Sequence, residues 1–264
     1  MTNKSKIFIF FLINLSISNV LVFSQSNSID SLVNIYKYDD KNEINIIKIG
    51  EAYAAEKMWN SAIYYYKKLV EIDPNNSDYL YRLGGTQAAY SEEVSKFKVL
   101  SIIKTAKQNL IKSANLDDKH IYSRWALVQI YSELPEIIGG SKKLALIYCE
   151  EIFKISKIHG WFSYYYFYNF HDNKIKSDEY KNKIVSYLKL YPNSFEFNYF
   201  NFLSGKLLAD VIDGDLNLSV KYLKTYISNY SSADRVSKID IMYYLNYSNQ
   251  LLKHLNKQNW NSVI

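Results

Sequence analysis

One cysteine, three prolines and eight glycines in 264 residues leave the chain with little punctuation. A lone thiol, Cys149, excludes a disulfide framework and a cysteine-ligated metal cluster. An all-β sandwich needs a turn about every 8 to 12 residues, and so few turn formers cannot supply them. The sequence also lacks GxSxG, HExxH, a phosphate-cradling glycine loop and paired CxxC, so the common hydrolase, metalloprotease and nucleotide chemistries have no motif to stand on. Its histidines, His120, His159, His171 and His254, include no pair at i, i+4, so no helical face offers two imidazoles to a metal. Asp213-Gly214-Asp215 lacks the alternating oxygens and terminal glutamate of a calcium loop and reads as a turn with an N-cap aspartate. The expectation is a chain that is not an enzyme and needs no cofactor and no metal.

What is present points to long helices. Apolar residues make up 48% and charged residues 22%, enough for one large or two small globular units and too apolar for a disordered tail. Residues 1–26 carry Lys4 and Lys6, then an apolar run from Ile7 to Phe23, then Ser24 and Ser26, the layout of a secretory signal peptide cleaved after Ser24 or Ser26. An uncleaved anchor is the alternative, and Asn14, Ser16, Ser18 and Asn19 weaken it. No cysteine follows the run, which leaves no lipid attachment point there, and no other stretch approaches a membrane span. A periplasmic or secreted protein follows. The net charge of +6 is a mild excess whose lysines lie next to acids along every segment, as on solvated helix faces, so nucleic acid is not an expected partner.

A period is visible. From Glu43 to Asn76 two apolar helical patterns are separated by a short turn near Lys57 to Asn60 and stopped by Asp73-Pro74-Asn75-Asn76. Gly50 and Ala62 are small where two antiparallel helices would cross, with Tyr53, Trp59, Tyr66 and Leu69 filling the space around them. This unit resembles a tetratricopeptide repeat at its glycine, tyrosine, alanine, second aromatic and terminal proline positions. A second unit places Leu80, Leu83 and Gly84 at the matching offsets, with its second helix, Ser101 to Asn115, displaced by an insertion. A third carries Leu127 and Tyr131, then Ala145, Cys149 and Ile152, across the enlarged connection Leu134 to Ser141, whose Pro135 and Gly139-Gly140 make it a loop. That layout is similar to a subgroup of exported bacterial tetratricopeptide proteins, and to the animal regulators of microtubule dynamics, although Glu136 and Ile137-Ile138 depart from the subgroup's loop. The resemblance implies a fold and no reaction.

Further helices are expected at Trp161 to Phe170, Asp178 to Leu190, Phe195 to Asp210, Leu216 to Tyr230 and residues 234–256. The organisation is thus a signal peptide at 1–26, a capping segment at 27–42, three units over 43–160, and degenerate repeats with a closing helix over 161–264. The fold class is an all-α, antiparallel helix-pair solenoid of four to five pairs, each burying its apolar face against its neighbours.

By the repeat's register, Ile47, Glu51, Tyr81, Gly85, Tyr122, Trp125 and Gln129 face the concave side. A well-known branch of the family holds a carboxylate there with lysine, arginine and asparagine; Ile47 and Glu51 replace that clamp. A groove of Tyr81, Tyr122 and Trp125 suits an apolar or aromatic segment of a partner protein. The chain has 26 tyrosines, and the run Tyr164 to Phe170 must point all round a helix. Two readings account for this: a stacking platform for glycan or peptide, with Trp161, Tyr165 and Tyr168 as the glycan patch, or the codon bias of an AT-rich genome.

Overall fold

The computed structural model describes residues 29–211, 214–230 and 236–261. The signal peptide read over 1–26 lies outside the described residues, as does Asp213. Residues 29 to 38 are helical (α1). They are followed by α2 (Glu43–Ala55), α3 (Trp59–Ile72), α4 (Ser77–Ser91), α5 (Lys96–Leu116), α6 (Ile121–Glu133), α7 (Lys142–Ile155), α8 (Lys157–Phe170), α9 (Lys174–Leu190), α10 (Asn198–Ala209), α11 (Leu216–Ser228) and α12 (Lys238–Asn261). No strand occurs among the described residues. Successive helices pack as antiparallel pairs from α2·α3 to α10·α11, and α12 closes the stack against α11 and α10.

Local chemistry sets the helix starts. Side chains at the N-caps accept the first free amides: Asn42 from Asn45 N, Asn76 from Asp78 N, His120 from Ser123 N, and Asp215 from Leu218 N. The cap at Asp215 is the N-cap aspartate expected for that turn. At the crossing inside two pairs only glycine fits. A Cβ on Gly84 would lie 2.8 Å from Leu110 and 3.0 Å from the Ala106 carbonyl, and one on Gly205 2.6 Å from Leu223 and 3.0 Å from the Ser219 carbonyl. These equivalent contacts, in the second and fifth pairs, show that the degenerate C-terminal units keep the same packing rule.

The connection after α6 folds into a compact cap. Glu136–Ile138 form a single 3-10 turn, Gly139 takes φ +94°, and Ser141 N donates to the Tyr131 carbonyl at 2.9 Å. The Lys107 ammonium donates to the Gly139 carbonyl at 2.9 Å and lies 5.3 Å from the Tyr131 ring centre, tying the loop to α5.

Several helix boundaries differ from the sequence reading. The extra residues of the second unit are helix: α5 starts at Lys96, leaving only 92–95 as loop, because Val99, Ile103, Ala106 and Leu110 extend one apolar stripe with no glycine or proline to break it. α8 and α9 each start four residues earlier than expected, at Lys157 and Lys174. α10 starts three residues late, at Asn198, because the Asn201 side chain bonds both the amide and the carbonyl of Phe195 at 2.9 Å and holds it extended.

The core forms two clusters. Ile46, Ile49, Ala62, Tyr66 and Leu69 join α2 and α3, with Leu32, Val33 and Tyr36 of α1 packed on them. A longer cluster runs from Ile103 to Ile241. Cys149 belongs to it, fully buried, and burial pushes its thiol up to about 12, which makes it filler.

Candidate binding cleft

Each second helix packs on the next first helix, as α3 on α4, α5 on α6 and α7 on α8, and first helices also meet one another, α4 on α6 and α6 on α8, so the first helices line the inner curve. Small residues on that curve leave room. Gly85, Ala88 and Ala89 of α4 face Ala126 of α6 across a cleft of about 420 Å3, a volume within the range of ligand pockets. The early start of α5 supplies its apolar wall, Val99 and Ile103. One end is aromatic: Tyr81 lies 6.1 Å from Tyr122, and Tyr122 lies 4.8 Å from Phe197, which reaches in from just before α10. The Tyr122 phenol is raised above its usual value, first by burial and then by the neighbouring Glu196 carboxylate. Gln129, Glu92 and Glu133 supply polar groups along the cleft, and Glu133 accepts a hydrogen bond from the Tyr166 hydroxyl.

The structure brings together Tyr81, Gly85, Tyr122, Trp125 and Gln129 of the concave residues chosen from sequence. Trp125 is the floor: only 2% exposed, its ring is 5.0 Å from Phe200 and 5.6 Å from Tyr166. Ile47 and Glu51 lie elsewhere. Ile47 packs on the first core cluster, and Glu51 accepts from Arg82 at 2.6 Å while Asp78 takes the same guanidinium at 2.7 Å. Sequence reasoning missed Ala88, Ala89, Val99, Ile103 and Phe197. The Val99–Ile103 spacing could have revealed the α5 wall; nothing local places Phe197.

The second aromatic set divides between two sides of α8. Trp161 meets Tyr187 edge-on at 5.9 Å over a shallow depression of about 400 Å3 that includes Asn182, Lys183 and Ser186. Tyr168 stacks on Tyr180 at 5.8 Å, with the Lys176 ammonium 5.0 Å from its ring centre. Tyr165 points toward Asp210, Tyr199 and Tyr244 instead, and burial is the main reason its phenol rises to about 12.

Among the described residues no group of three or more His, Cys, Asp or Glu side chains could hold a metal ion. A serine hydroxyl meets a histidine ring at the start of α8, where Ser156 Oγ lies 2.8 Å from His159 Nδ1. The imidazole packs edge-on against Phe200 at 4.8 Å and Phe195 at 5.5 Å, so the pair ties down a helix start. Burial lowers the His159 pKa to about 4, so the unfolded chain takes up a proton near pH 6.5 that the folded protein does not. Stability from this group is complete above pH 6.5 and is lost as pH falls toward 4, by up to about 3 kcal/mol. Urea unfolding at pH 7 and pH 5 should show a smaller drop for His159→Phe than for the parent; an equal drop would contradict the assignment.

The chain matches no protein-family model and no curated protein. Solved structures do match. TTC0263, a thermophilic TPR protein of Thermus thermophilus, is 11% identical with a TM-score of 0.53, over 80% of this chain and 95% of that one. A tetratricopeptide repeat protein from Parabacteroides merdae is 11% identical with a TM-score of 0.51, over 88% of this chain and 94% of that one. MamA is 18% identical with a TM-score of 0.48, over 67% of this chain and 95% of its own. The fold is therefore a tetratricopeptide-type helix-pair solenoid.

Proposed function

We propose that the chain is a non-catalytic interaction or assembly module, exported to the cell envelope, that holds a segment of a partner protein in the cleft between α4, α5 and α6. The observation that carries this reading is the cleft itself: an apolar space on the inner curve, walled by small and aliphatic side chains and ended by Tyr81, Tyr122 and Phe197. An apolar anchor side chain entering it would shed water against several walls at once, and the half-buried aromatic rings would fix its orientation. Export rests on the basic and apolar pattern of residues 1–26. A glycan is the second reading, favoured by the Trp161 depression with its Asn182 and Ser186 side chains; a Trp161→Ala variant that loses glycan-array binding would support it.

The cleft can be filled without disturbing the fold. A Cβ added at Gly85 meets nothing nearer than Tyr81 at 3.9 Å, so Gly85→Ala should be neutral or stabilising by up to about 1 kcal/mol. Gly85→Trp should occupy the cleft. In crosslinked capture from envelope extract, a discrete protein held by the parent and lost by Gly85→Trp is expected, with thermal unfolding of the variant unchanged. Capture of the same protein by both would overturn the cleft as the binding site.

A further inference from the structure

Lysines and acids alternate along the sequence, but the fold gathers most of the lysines on one set of helices. With the first helices on the inner curve, the second helices α3, α5, α7, α9 and α11 form the outer one. On that face α5 carries Lys98, Lys104, Lys107 and Lys112 and no acid, and α11 carries Lys221 and Lys224 and no acid. The acids of the other outer helices are engaged by cations: Glu71 by Lys68, Glu150 by Lys154, Glu151 by Arg124, Asp178 by Lys181 and Glu179 by Lys183, all within 3.8 Å. Other acids, among them Asp73, Glu93, Asp117, Asp118 and Asp172, lie in the turns. Lys107 and Lys112 donate to the main-chain carbonyls of Gly139 and Pro74, which orient the ammonium groups without cancelling their charge. The outer face therefore carries a positive field centred on α5.

Two observations identify the anion it fits. The cations are lysines: arginine occurs only at 82, 124 and 235, and the two described ones are engaged by Asp78, Glu51 and Glu151. Lysine is a hydrated point charge suited to diffuse attraction, whereas base readout in nucleic acid favours the guanidinium fork. Aliphatic side chains also stand exposed on these helices, Leu100 at 52%, Ile147 at 43% and Ile175 at 85%. Lysines with exposed aliphatics on surface helices match an anionic lipid surface, where the charges are attracted to headgroups and the aliphatics enter the interface. We propose that the outer face, with α5 at its centre, docks on a bilayer rich in anionic lipid and leaves the inner cleft open to a protein partner. No described helix is long and apolar enough to cross a membrane, so this contact is peripheral.

Cosedimentation of the chain from residue 27, the form that signal cleavage would leave, tests this, using vesicles of phosphatidylcholine alone and of phosphatidylcholine with roughly a third phosphatidylglycerol, at about 0.1 M salt. The account expects binding to the anionic vesicles about tenfold or more tighter than to the neutral ones. Lys98→Glu with Lys104→Glu, both at exposed positions, should reduce it about tenfold or more, and Lys48→Glu on α2 should leave it unchanged. Circular dichroism verifies folding, and Lys142→Glu with Lys143→Glu, at the start of α7 where acids suit the helix dipole, provides a second reversal. No binding, equal binding to both vesicles, or binding indifferent to the reversals would overturn the proposal. Tighter retention on duplex DNA than on anionic vesicles at the same salt would overturn the lipid assignment.

Discussion

Replacing Phe200 by alanine is expected to lower the unfolding free energy by about 3–5 kcal/mol. The ring is fully buried, and it meets aromatic side chains from three different stretches of chain. Trp125 of α6 lies at 5.0 Å, Phe162 of α8 at 5.1 Å, His159 at 4.8 Å and Phe197 at 5.6 Å. In a solenoid most contacts join neighbouring units, so a side chain of α10 that touches α6 as well as α8 also sets how tightly the inner curve closes. The loss has two parts, the transfer of the ring and the cavity it leaves; Phe200→Leu should recover more than half of it. Because Trp125 floors the cleft and rests on Phe200, the alanine variant should also weaken partner capture. Urea denaturation followed by circular dichroism measures the first effect, and a change below about 1 kcal/mol would mean that the hub is not packed as described.

Arg124→Met is expected to cost about 3 kcal/mol, for a different reason. The guanidinium is 6% exposed and donates to three main-chain carbonyls: Ala114 at 2.8 Å, and Asp117 and His120 at 3.0 Å. They lie where α5 ends and the turn into α6 begins, so the side chain caps the C-terminus of α5 from the following helix, although the Asp117 carbonyl also accepts from His120 N and the His120 carbonyl from the Ser123 hydroxyl, both at 3.2 Å. Its ion pair with Glu151 at 2.9 Å contributes less, since the glutamate is 39% exposed. Methionine keeps the apolar stem and removes the charged donor from all three carbonyls, that of Ala114 in the buried end of α5 among them. Glu151→Gln should therefore cost under about 1 kcal/mol, and a larger cost there than for Arg124→Met would reverse the assignment.

The parts of the fold legible in the sequence are those governed by local chemistry. Gly50 and Ala62 marked the first helix crossing, Asp73-Pro74 its end, and Pro135 with Gly139-Gly140 the loop after α6, each because backbone sterics or capping fix a residue type at that place. The start of α5 was misread because the repeat template suggested a gap where the residues themselves, Val99 and Ile103, continued the helical stripe. The cleft was half legible. The register of first helices brought Tyr81, Tyr122, Trp125 and Gln129 to one place. That Trp125 would be covered by α10, and that Phe197 would close one end, depends on superhelical curvature accumulated over several units, to which no short stretch of sequence is sensitive. The aromatic run of α8 illustrates the same limit: Tyr164 meets α9, Tyr166 meets α6 and Phe167 is core, so packing on several sides absorbs side chains that a single helix could only scatter. The lysine excess of the outer helices was invisible because acids and lysines are neighbours in the chain, and the excess shows only when helices are assigned to faces.

The central claim is that the inner cleft contacts a partner protein, and photocrosslinking from defined positions tests it most directly. A photoreactive phenylalanine placed at Gln129 in the cleft, and separately at Asn182 on the outer side of α9, would be irradiated in cells expressing the full chain. The account predicts one discrete protein adduct from position 129, absent when Gly85→Trp fills the cleft, and none from position 182. A protein adduct from position 182 alone, or one from position 129 that persists with the cleft filled, would contradict it.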